Sequence, residues 1–147
     1  MRSKRLLALS VALIAVGTLA ASAAQAGVRG FKLEPMDPRV KVEGLVKMTT
    51  KGSLERLDLR VFSGAFRDGT MFTVSVVRAD TDARRTTVAK IEIVMGSALL
   101  QLDNRKDVSA VFPFRGLREL YVSLPGYGDL AHGVILADAR ATRCRRA

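Results

Sequence analysis

LDLRVF (residues 57–62) and MFTVSVV (residues 71–77) alternate apolar with polar side chains over most of their length. A period of two residues is typical of a β-strand that buries one face. The stretch between them ends in Asp68-Gly69, which is a strong turn signal because glycine tolerates a positive φ angle. The two stretches therefore predict a β-hairpin with a positive φ at Gly69, and the rest of the chain is interpreted around it.

KIEIVM (residues 90–95) and ALLQLD (residues 98–103) predict a second hairpin, joined by Gly96-Ser97. A two-residue loop with glycine first fits a type II′ turn, and such a turn fixes the register of the strands. This register places Ile93 opposite Leu100 in an apolar ladder on the core face. It also forms an opposite-charge pair on the outer face, as cross-strand pairing favours.

Further short strands are expected, and turns rich in Gly, Pro and Asp separate them. They cover residues 40–48, 117–123 and 132–137. No stretch after the N-terminal segment has a sustained helical period. About seven strands predict an all-β domain, an antiparallel β-sandwich over residues 40–139, with a small β-barrel as the alternative. Residues 27–39 contain two prolines and are interpreted as a linker or an edge strand.

The first 26 residues are typical of a secretory signal peptide. Three basic residues within positions 2–5 precede an apolar run over residues 6–20, and Ala24-Gln25-Ala26 forms the cleavage site. The apolar run is shorter than the ~20 residues that span a bilayer, and an uncleaved anchor is the alternative. We therefore expect cleavage after Ala26, a periplasmic or secreted protein, and no transmembrane segment after cleavage.

The chain that would remain, residues 27–147, is basic. It has 21 Lys and Arg residues and 14 Asp and Glu residues, a net charge of +7. A basic exported protein suits contact with anionic surfaces such as cell-wall polymer, lipopolysaccharide or phospholipid headgroups. The alternative is a charge that only keeps the protein soluble. Nothing in the sequence indicates specific recognition of nucleic acid.

Arginine residues cluster in two connections and in the basic tail over residues 140–147. Arginine binds phosphate and carboxylate groups through two parallel hydrogen bonds, so these residues are the candidate binding residues. They are Arg78, Arg84, Arg85, Arg105, Arg115, Arg140, Arg143, Arg145 and Arg146. Phe112 and Phe114 lie between two of these positions, where they either stack on a ligand or close one end of the domain.

Few residues in the chain could carry catalysis. Cys144 is the only cysteine, so no internal disulfide can form, and the surrounding arginines favour a reactive thiolate. His132 is the only histidine and is expected at the exposed start of the last strand. A zinc site needs three or four ligands, and no nucleophile-elbow, phosphate-loop or dinucleotide motif is present. We therefore expect no catalytic residue, metal site or cofactor.

The layout of strands and turns over roughly residues 54–139 resembles small exported bacterial β-sandwich domains. The resemblance rests on LERLDLRVFSGAFRDGTMFTVSVV, VAKIEIVMGSALLQLD, VFPFRGL, LYVSLPGYGD and GVILADA. Immunoglobulin-like and fibronectin type III modules share this pattern more distantly, although the chain has no tryptophan. The resemblance implies a fold rather than a reaction.

Three classes of function follow from these features. The first is a non-enzymatic interaction or structural module of the cell envelope. The second is an envelope protein that binds a polyanion, or an acidic protein partner, through its arginine-rich loops and tail. The third is an envelope enzyme. The sequence does not predict the oligomeric state.

Overall fold

The computed structural model describes residues 27–135, which form eight β-strands and one short 3₁₀ turn. The strands are β1 (Gly27–Pro35), β2 (Glu43–Lys51), β3 (Leu54–Phe62), β4 (Met71–Arg78), β5 (Arg85–Glu92), β6 (Ser97–Asp103), β7 (Leu117–Leu124) and β8 (Gly128–Val134), and the 3₁₀ turn is Phe114–Gly116. The predicted signal peptide, residues 136–139 of the predicted domain and the basic tail lie outside the described residues. Within residues 27–135, no helix is long and apolar enough to cross a membrane.

The eight strands form one antiparallel sheet in the order β5-β4-β7-β8-β1-β2-β3-β6. This sheet is nearly closed into a barrel. The prediction of an all-β fold is therefore confirmed. There are eight strands instead of about seven, and the nearly closed sheet corresponds to the barrel alternative.

Alternating side chains point into the barrel and fill it with apolar groups. The fully buried members include Leu33, Val42, Leu57, Leu59, Val61, Phe72, Val74, Val76, Ile93, Val111, Leu120 and Leu130. Phe66 closes one end of this core and meets Phe72 edge-on, with 5.1 Å between ring centroids. Phe112 and Phe114 pack against the core from the other end and are half-buried. Burial of this kind is the dominant favourable term in folding.

The two stretches that decide the fold are strands, but the predicted hairpin between them is wrong. β3 pairs with β2 and β6, whereas β4 pairs with β5 and β7. Residues 63–70 instead cross the turn between β5 and β6: Ser63 N–H donates to Gly96 O and Gly69 N–H donates to Ile93 O, both at 2.9 Å. The connection therefore links the two halves of the sheet. Gly69 has a φ of 89°, which confirms the predicted positive value.

The second predicted hairpin is also wrong in its turn and in its ladder. Met95 and Gly96 have φ angles of 52° and 77°, so they are the central residues of the turn, as a type I′ turn requires. A single bridge, Val94↔Ser97, joins the two strands before they separate. The burial of these side chains is predicted better than the pairing of the strands. Of the four residues placed on the core face, Ile91, Ile93 and Leu102 are buried and Leu100 is half-buried.

Residues 27–39 do not form a linker or an edge strand. β1 lies inside the sheet between β2 and β8. Neither proline interrupts the ladder with β2, because Pro35 is the last residue of β1 and Pro38 follows the strand. The last strand also begins earlier than predicted, at Gly128. His132 is therefore in the middle of β8 and half-buried, not at an exposed strand end.

Leu33 of β1 fits between two glycines on the neighbouring strands. A Cβ atom on Gly44 of β2 would lie 2.7 Å from Leu33 Cδ1, and one on Gly133 of β8 would lie 2.5 Å from Leu33 Cδ2. At Gly133 the carbonyl oxygen of Lys32 is also within 3.0 Å. These positions therefore require glycine because of close approach to the Leu33 side chain and, at Gly133, to the β1 backbone.

We expect Ile93→Ala to lower the free energy of unfolding by about 2–4 kcal/mol, because it leaves a cavity at a fully buried position. Val94→Ala is the control, since Val94 is adjacent in sequence but 53% exposed, and we expect little change there. Chemical denaturation of both variants measures the difference. Equal midpoints would contradict the burial pattern of this segment.

We expect Gly133→Ala to destabilise the protein by about 1–3 kcal/mol, because the added methyl group overpacks against Leu33 and Lys32 O. Gly30→Ala is the matched control in β1, where the new Cβ would make only ordinary contact, at 3.5 Å from Val46 O. Thermal unfolding followed by circular dichroism compares the two. A similar melting temperature for both variants would show that β1 and β8 are not this close.

Candidate functional site

Three connections and both ends of the described chain lie at the same end of the barrel. The antiparallel pairings place there the β2–β3 turn, the β4–β5 loop (79–84) and the β6–β7 loop (104–116), together with Gly27 and Ile135. The Met95-Gly96 turn and the 63–70 connection lie at the opposite end. Candidate arginines that are far apart in sequence are thus brought to one surface.

Hydrogen bonds join these three connections. The buried Arg78 donates from Nη1 to Ala110 O at 2.9 Å, and Ala79 N–H donates to Gly116 O at 2.8 Å, which ties the β4–β5 loop to the β6–β7 loop. Asn104 Nδ2 donates to Ser53 O at 2.8 Å and so ties the β6–β7 loop to the β2–β3 turn. The end is therefore a connected platform instead of three independent loops.

Most acidic side chains at this end are used to build the platform. Asp103 accepts hydrogen bonds from Arg105 N–H and from Arg56, and these contacts lower the pKa of its carboxyl group. A hydrogen bond from Arg78 at 3.0 Å lowers the pKa of Asp80. Asp107 accepts from the Asp103 N–H at 3.0 Å. The oxygens of these carboxylates are therefore bound to internal donors.

Five basic side chains remain exposed on the platform, and we call this surface the basic end. They are Lys51, Arg84, Arg105, Lys106 and Arg115. None of the five makes an ion pair with another residue in the range 27–135. Asp82 is an exposed acid on the same surface, and it also makes no ion pair within residues 27–135. Over residues 27–135 the sequence has 17 basic and 13 acidic residues, a net charge of +4.

The structure corrects two of the candidate binding residues. Arg78 is only 8% exposed and serves as an internal anchor for Asp80 and the β6–β7 loop. Arg85 forms a bidentate pair with Asp129, with N–O distances of 2.6 and 3.0 Å. Neither guanidinium is available as predicted, because each is already bound to a carboxylate.

The remaining candidates divide into two groups. Arg84, Arg105 and Arg115 are exposed and lie on the basic end, as a binding role requires. The four arginines of the tail and the cysteine among them lie outside the described residues, namely Arg140, Arg143, Cys144, Arg145 and Arg146. Lys51 was missed by the sequence reasoning, since only the loop-to-loop hydrogen bonds show that it shares this surface with Lys106 and the arginines.

A second polar cluster lies on the outer face of β7 and β8. The Tyr121 ring stacks on His132 at 4.4 Å between centroids, and the Arg85 guanidinium carbon lies 3.7 Å from the Tyr121 centroid. Glu119 Oε2 accepts from the Tyr121 hydroxyl at 2.5 Å and is 3.2 Å from His132 Nε2. Sequence reasoning missed Glu119 and Tyr121, although their spacing by two residues places them on one face of the predicted strand.

This cluster is electrostatically self-contained. The hydrogen bond from Tyr121 is the main cause that lowers the pKa of Glu119, and the same bond raises the pKa of Tyr121. The pair with Asp129 raises the pKa of Arg85. Each ionised group thus has an opposite charge or a donor beside it, and the stack covers this face of the sheet as a structural brace.

A shallow cavity of about 280 Å³ lies where β1 and β8 separate. Its lining residues are Arg29, Gly30, Phe31, Met48, Val134 and Ile135.

In the part of the chain that the structure describes, no three His, Cys, Asp or Glu side chains are grouped so that they could hold a metal ion. Comparison of the chain with protein-family models, with curated proteins and with solved structures found no significant match.

We expect the protein to lose stability as the pH falls below 4.5, the ordinary pKa of a glutamate, partly through Glu119. The pKa of Glu119 is lower in the folded state, so its contribution is present above pH 4.5 and is lost as the pH falls through the folded value. Glu119→Gln should therefore reduce this pH dependence without removing it, since Asp80 and Asp103 also have lowered pKa values.

Denaturant unfolding at a series of pH values between 3 and 7 measures this effect. The control is Glu43→Gln, a change at an exposed glutamate of β2 whose side chain makes no hydrogen bond within residues 27–135. We expect its profile to follow that of the unmodified protein. If Glu119→Gln gave the same profile as Glu43→Gln, the hydrogen bonds to Glu119 would not be formed in solution.

Proposed function

We propose that the protein is a non-enzymatic binding module of the cell envelope, which holds an anionic polymer against the basic end of its barrel. The observation that carries this proposal is the arrangement of exposed cations on one hydrogen-bonded platform whose neighbouring carboxylates are mostly bound internally. A surface of this kind presents several donors to phosphate, sulfate or carboxylate groups of a chain molecule.

Rigidity of the platform supports binding instead of simple solubilisation. Loops that are already ordered lose less conformational entropy when a ligand binds. The ties from Arg78 to Ala110 O and from Asn104 to Ser53 O hold the loops that carry Arg84, Arg105 and Arg115. A charge that served only solubility would not require such ordering or its concentration at one end.

The location of the module in the envelope rests on the N-terminal sequence, with its basic residues, apolar run and Ala24-Gln25-Ala26 site. Anionic polymers such as lipopolysaccharide and cell-wall polymers would be present there. The proposal of a non-enzymatic role is supported by His132, whose ring is stacked on Tyr121 and bonded to Glu119.

We expect the full chain to bind immobilised heparin and lipopolysaccharide, with an affinity that falls as the salt concentration rises. The triple variant Arg84→Gln, Arg105→Gln and Arg115→Gln should elute at clearly lower salt. The magnitude of its slope of log affinity against log salt should decrease by about 2, since fewer counterions are released on binding when three contacts are lost.

The matched control removes the same number of charges away from the basic end, through Lys32→Gln, Arg67→Gln and Lys90→Gln. These side chains are exposed on β1, on the 63–70 connection and on β5. Both triple variants keep residues 136–147, so the contribution of the tail cancels in the comparison. If the two variants eluted at the same salt, net charge alone would explain retention, and the basic end would not be the site.

A further inference from the structure

The two edges of the nearly closed sheet, β5 and β6, face each other across a seam that is mostly unpaired. Around the rest of the ring each strand pairs with two neighbours, whereas β5 pairs only with β4 and β6 only with β3. One bridge, Val94↔Ser97, joins the edges beside the Met95-Gly96 turn. An edge strand presents unpaired backbone N–H and C=O groups, which are a template for another strand.

The hydrogen bonds at the two ends of β6 show which backbone groups point into the seam. Ser97 exchanges both backbone bonds with Val94, at 2.8 and 3.1 Å. Asp103 N–H donates to the Asp107 carboxylate, and Asp103 O accepts from the N–H groups of Lys106 and Asp107. Both residues therefore direct their backbone away from β3. Because this direction alternates along a strand, Leu99 and Gln101 also point into the seam.

The opposite edge follows from the same reasoning. Ile93 exchanges backbone bonds with Thr70 and Gly69 on the β4 side, at 2.9 Å each. Its neighbour Glu92, and Lys90 two residues before, therefore direct their backbone groups into the seam. If the two edges were paired onward from Val94↔Ser97, Glu92 would bond to Leu99. Among residues 27–135 no such pairing is present.

β5 is the better protected of the two edges. It carries Arg85 and Lys90, and its pairing with β4 contains a register shift beside Ser75. Charged side chains and bulges oppose the addition of another strand. β6 has neither lysine, arginine nor proline, and the charge of Asp103 at its end is held by Arg56 at 3.4 Å. β6 is therefore the edge that can accept a strand.

The side chains around this edge are apolar. Leu99 on the outer face is 66% exposed, and Phe62 and Leu45 are exposed on the same face of β3 and β2. Leu100 on the inner face packs against the core but is only half-buried. A strand beside β6 would cover Leu100 with one of its faces and Leu99 with the other. Beyond Asp103, Arg105 and Lys106 are exposed and make no ion pair within residues 27–135.

We propose that the β6 edge of the seam binds an extended segment of a partner protein by strand addition, a segment with alternating apolar residues and an acidic flank. Backbone hydrogen bonds to Leu99 and Gln101 supply the affinity, apolar contacts with Leu99 and Leu100 select the alternating pattern, and Arg105 and Lys106 attract the flank. This function goes beyond polymer binding, because Leu99 and Gln101 are not part of the basic end.

The test follows backbone amide exchange by NMR in the full chain, with and without a probe peptide, Asp-Asp-Val-Thr-Val-Thr-Val-Thr. A peptide with two central residues replaced by proline is the control. In the free protein the amides of Leu99 and Gln101 should exchange quickly, whereas those of Ala98, Leu100 and Leu102, which bond to β3, should be protected. The probe, but not the proline peptide, should slow exchange at Leu99 and Gln101.

Matched variants separate this site from the basic end. Leu99→Lys should weaken binding of the probe about tenfold or more, measured by fluorescence anisotropy, because a charge on the edge opposes pairing. Leu45→Lys adds the same charge at an exposed leucine two strands away and should bind the probe as the unmodified protein does. Neither variant should elute from heparin at lower salt than the unmodified protein, because neither removes a cation of the basic end.

Three results would overturn the proposal. Slow exchange at Leu99 and Gln101 in the free protein would show that the seam closes on itself. Fast exchange that the probe leaves unchanged would show that the edge accepts no strand. An affinity for the probe that Leu99→Lys leaves unchanged would show that the probe is held elsewhere on the surface. None of these results bears on heparin retention, so the two proposals fail independently.

Discussion

The barrel depends on the packing of Leu33 between Gly44 and Gly133. Strands β6, β3, β2 and β1 form one half of the sheet, and β8, β7, β4 and β5 form the other. The ladder between the halves has only two residue pairs, Glu34↔His132 and Pro35↔Ala131. These two pairs and the hydrogen bond from Met36 N–H to Leu130 O form a short junction, and the buried Leu33 side chain strengthens it by packing against both halves.

The position of the β1–β8 junction shows where these two strands are paired and where they separate. β1 and β8 meet near Pro35 and separate toward Gly27, and the shallow cavity lined by Phe31 and Ile135 lies where they separate. On the other side of the ring, the Val94↔Ser97 bridge is the corresponding contact between β5 and β6. Both junctions are formed near the end that carries the Met95-Gly96 turn and are open toward the basic end.

The sequence predicted most of the segments that are strands and many of the side chains that are buried. Alternation is a local property, and Leu57, Leu59, Phe72 and Val74 are buried as the period of two requires. It did not predict which strands pair, because a crossing connection and a hairpin loop can have the same turn residues. Asp68 shows the difficulty: its side chain accepts from Met95 N–H at 2.8 Å, a contact between segments that local pattern cannot reveal.

The binding residues show the same division between local and long-range information. Exposure of Arg84, Arg105 and Arg115 follows from their position in polar loops, and the sequence was sufficient for it. The use of Arg78 and Arg85 as internal anchors depends on Ala110 and Asp129, which are 32 and 44 residues away in sequence. The strand order is therefore needed to tell which arginines of a connection are bound internally and which are exposed for binding.

The strand order also links the two proposed sites through one segment. The β6–β7 connection leaves the open β6 edge at Asp103, turns there through its hydrogen bonds, and then carries Arg105, Lys106 and Arg115 across the basic end. Charge acts over about 8–10 Å at moderate salt, whereas strand addition needs direct backbone contact. If both proposals hold, an acidic partner would be attracted first by the basic end and aligned afterwards at the edge beside it, with β6 as the selective element and the arginines as the general one.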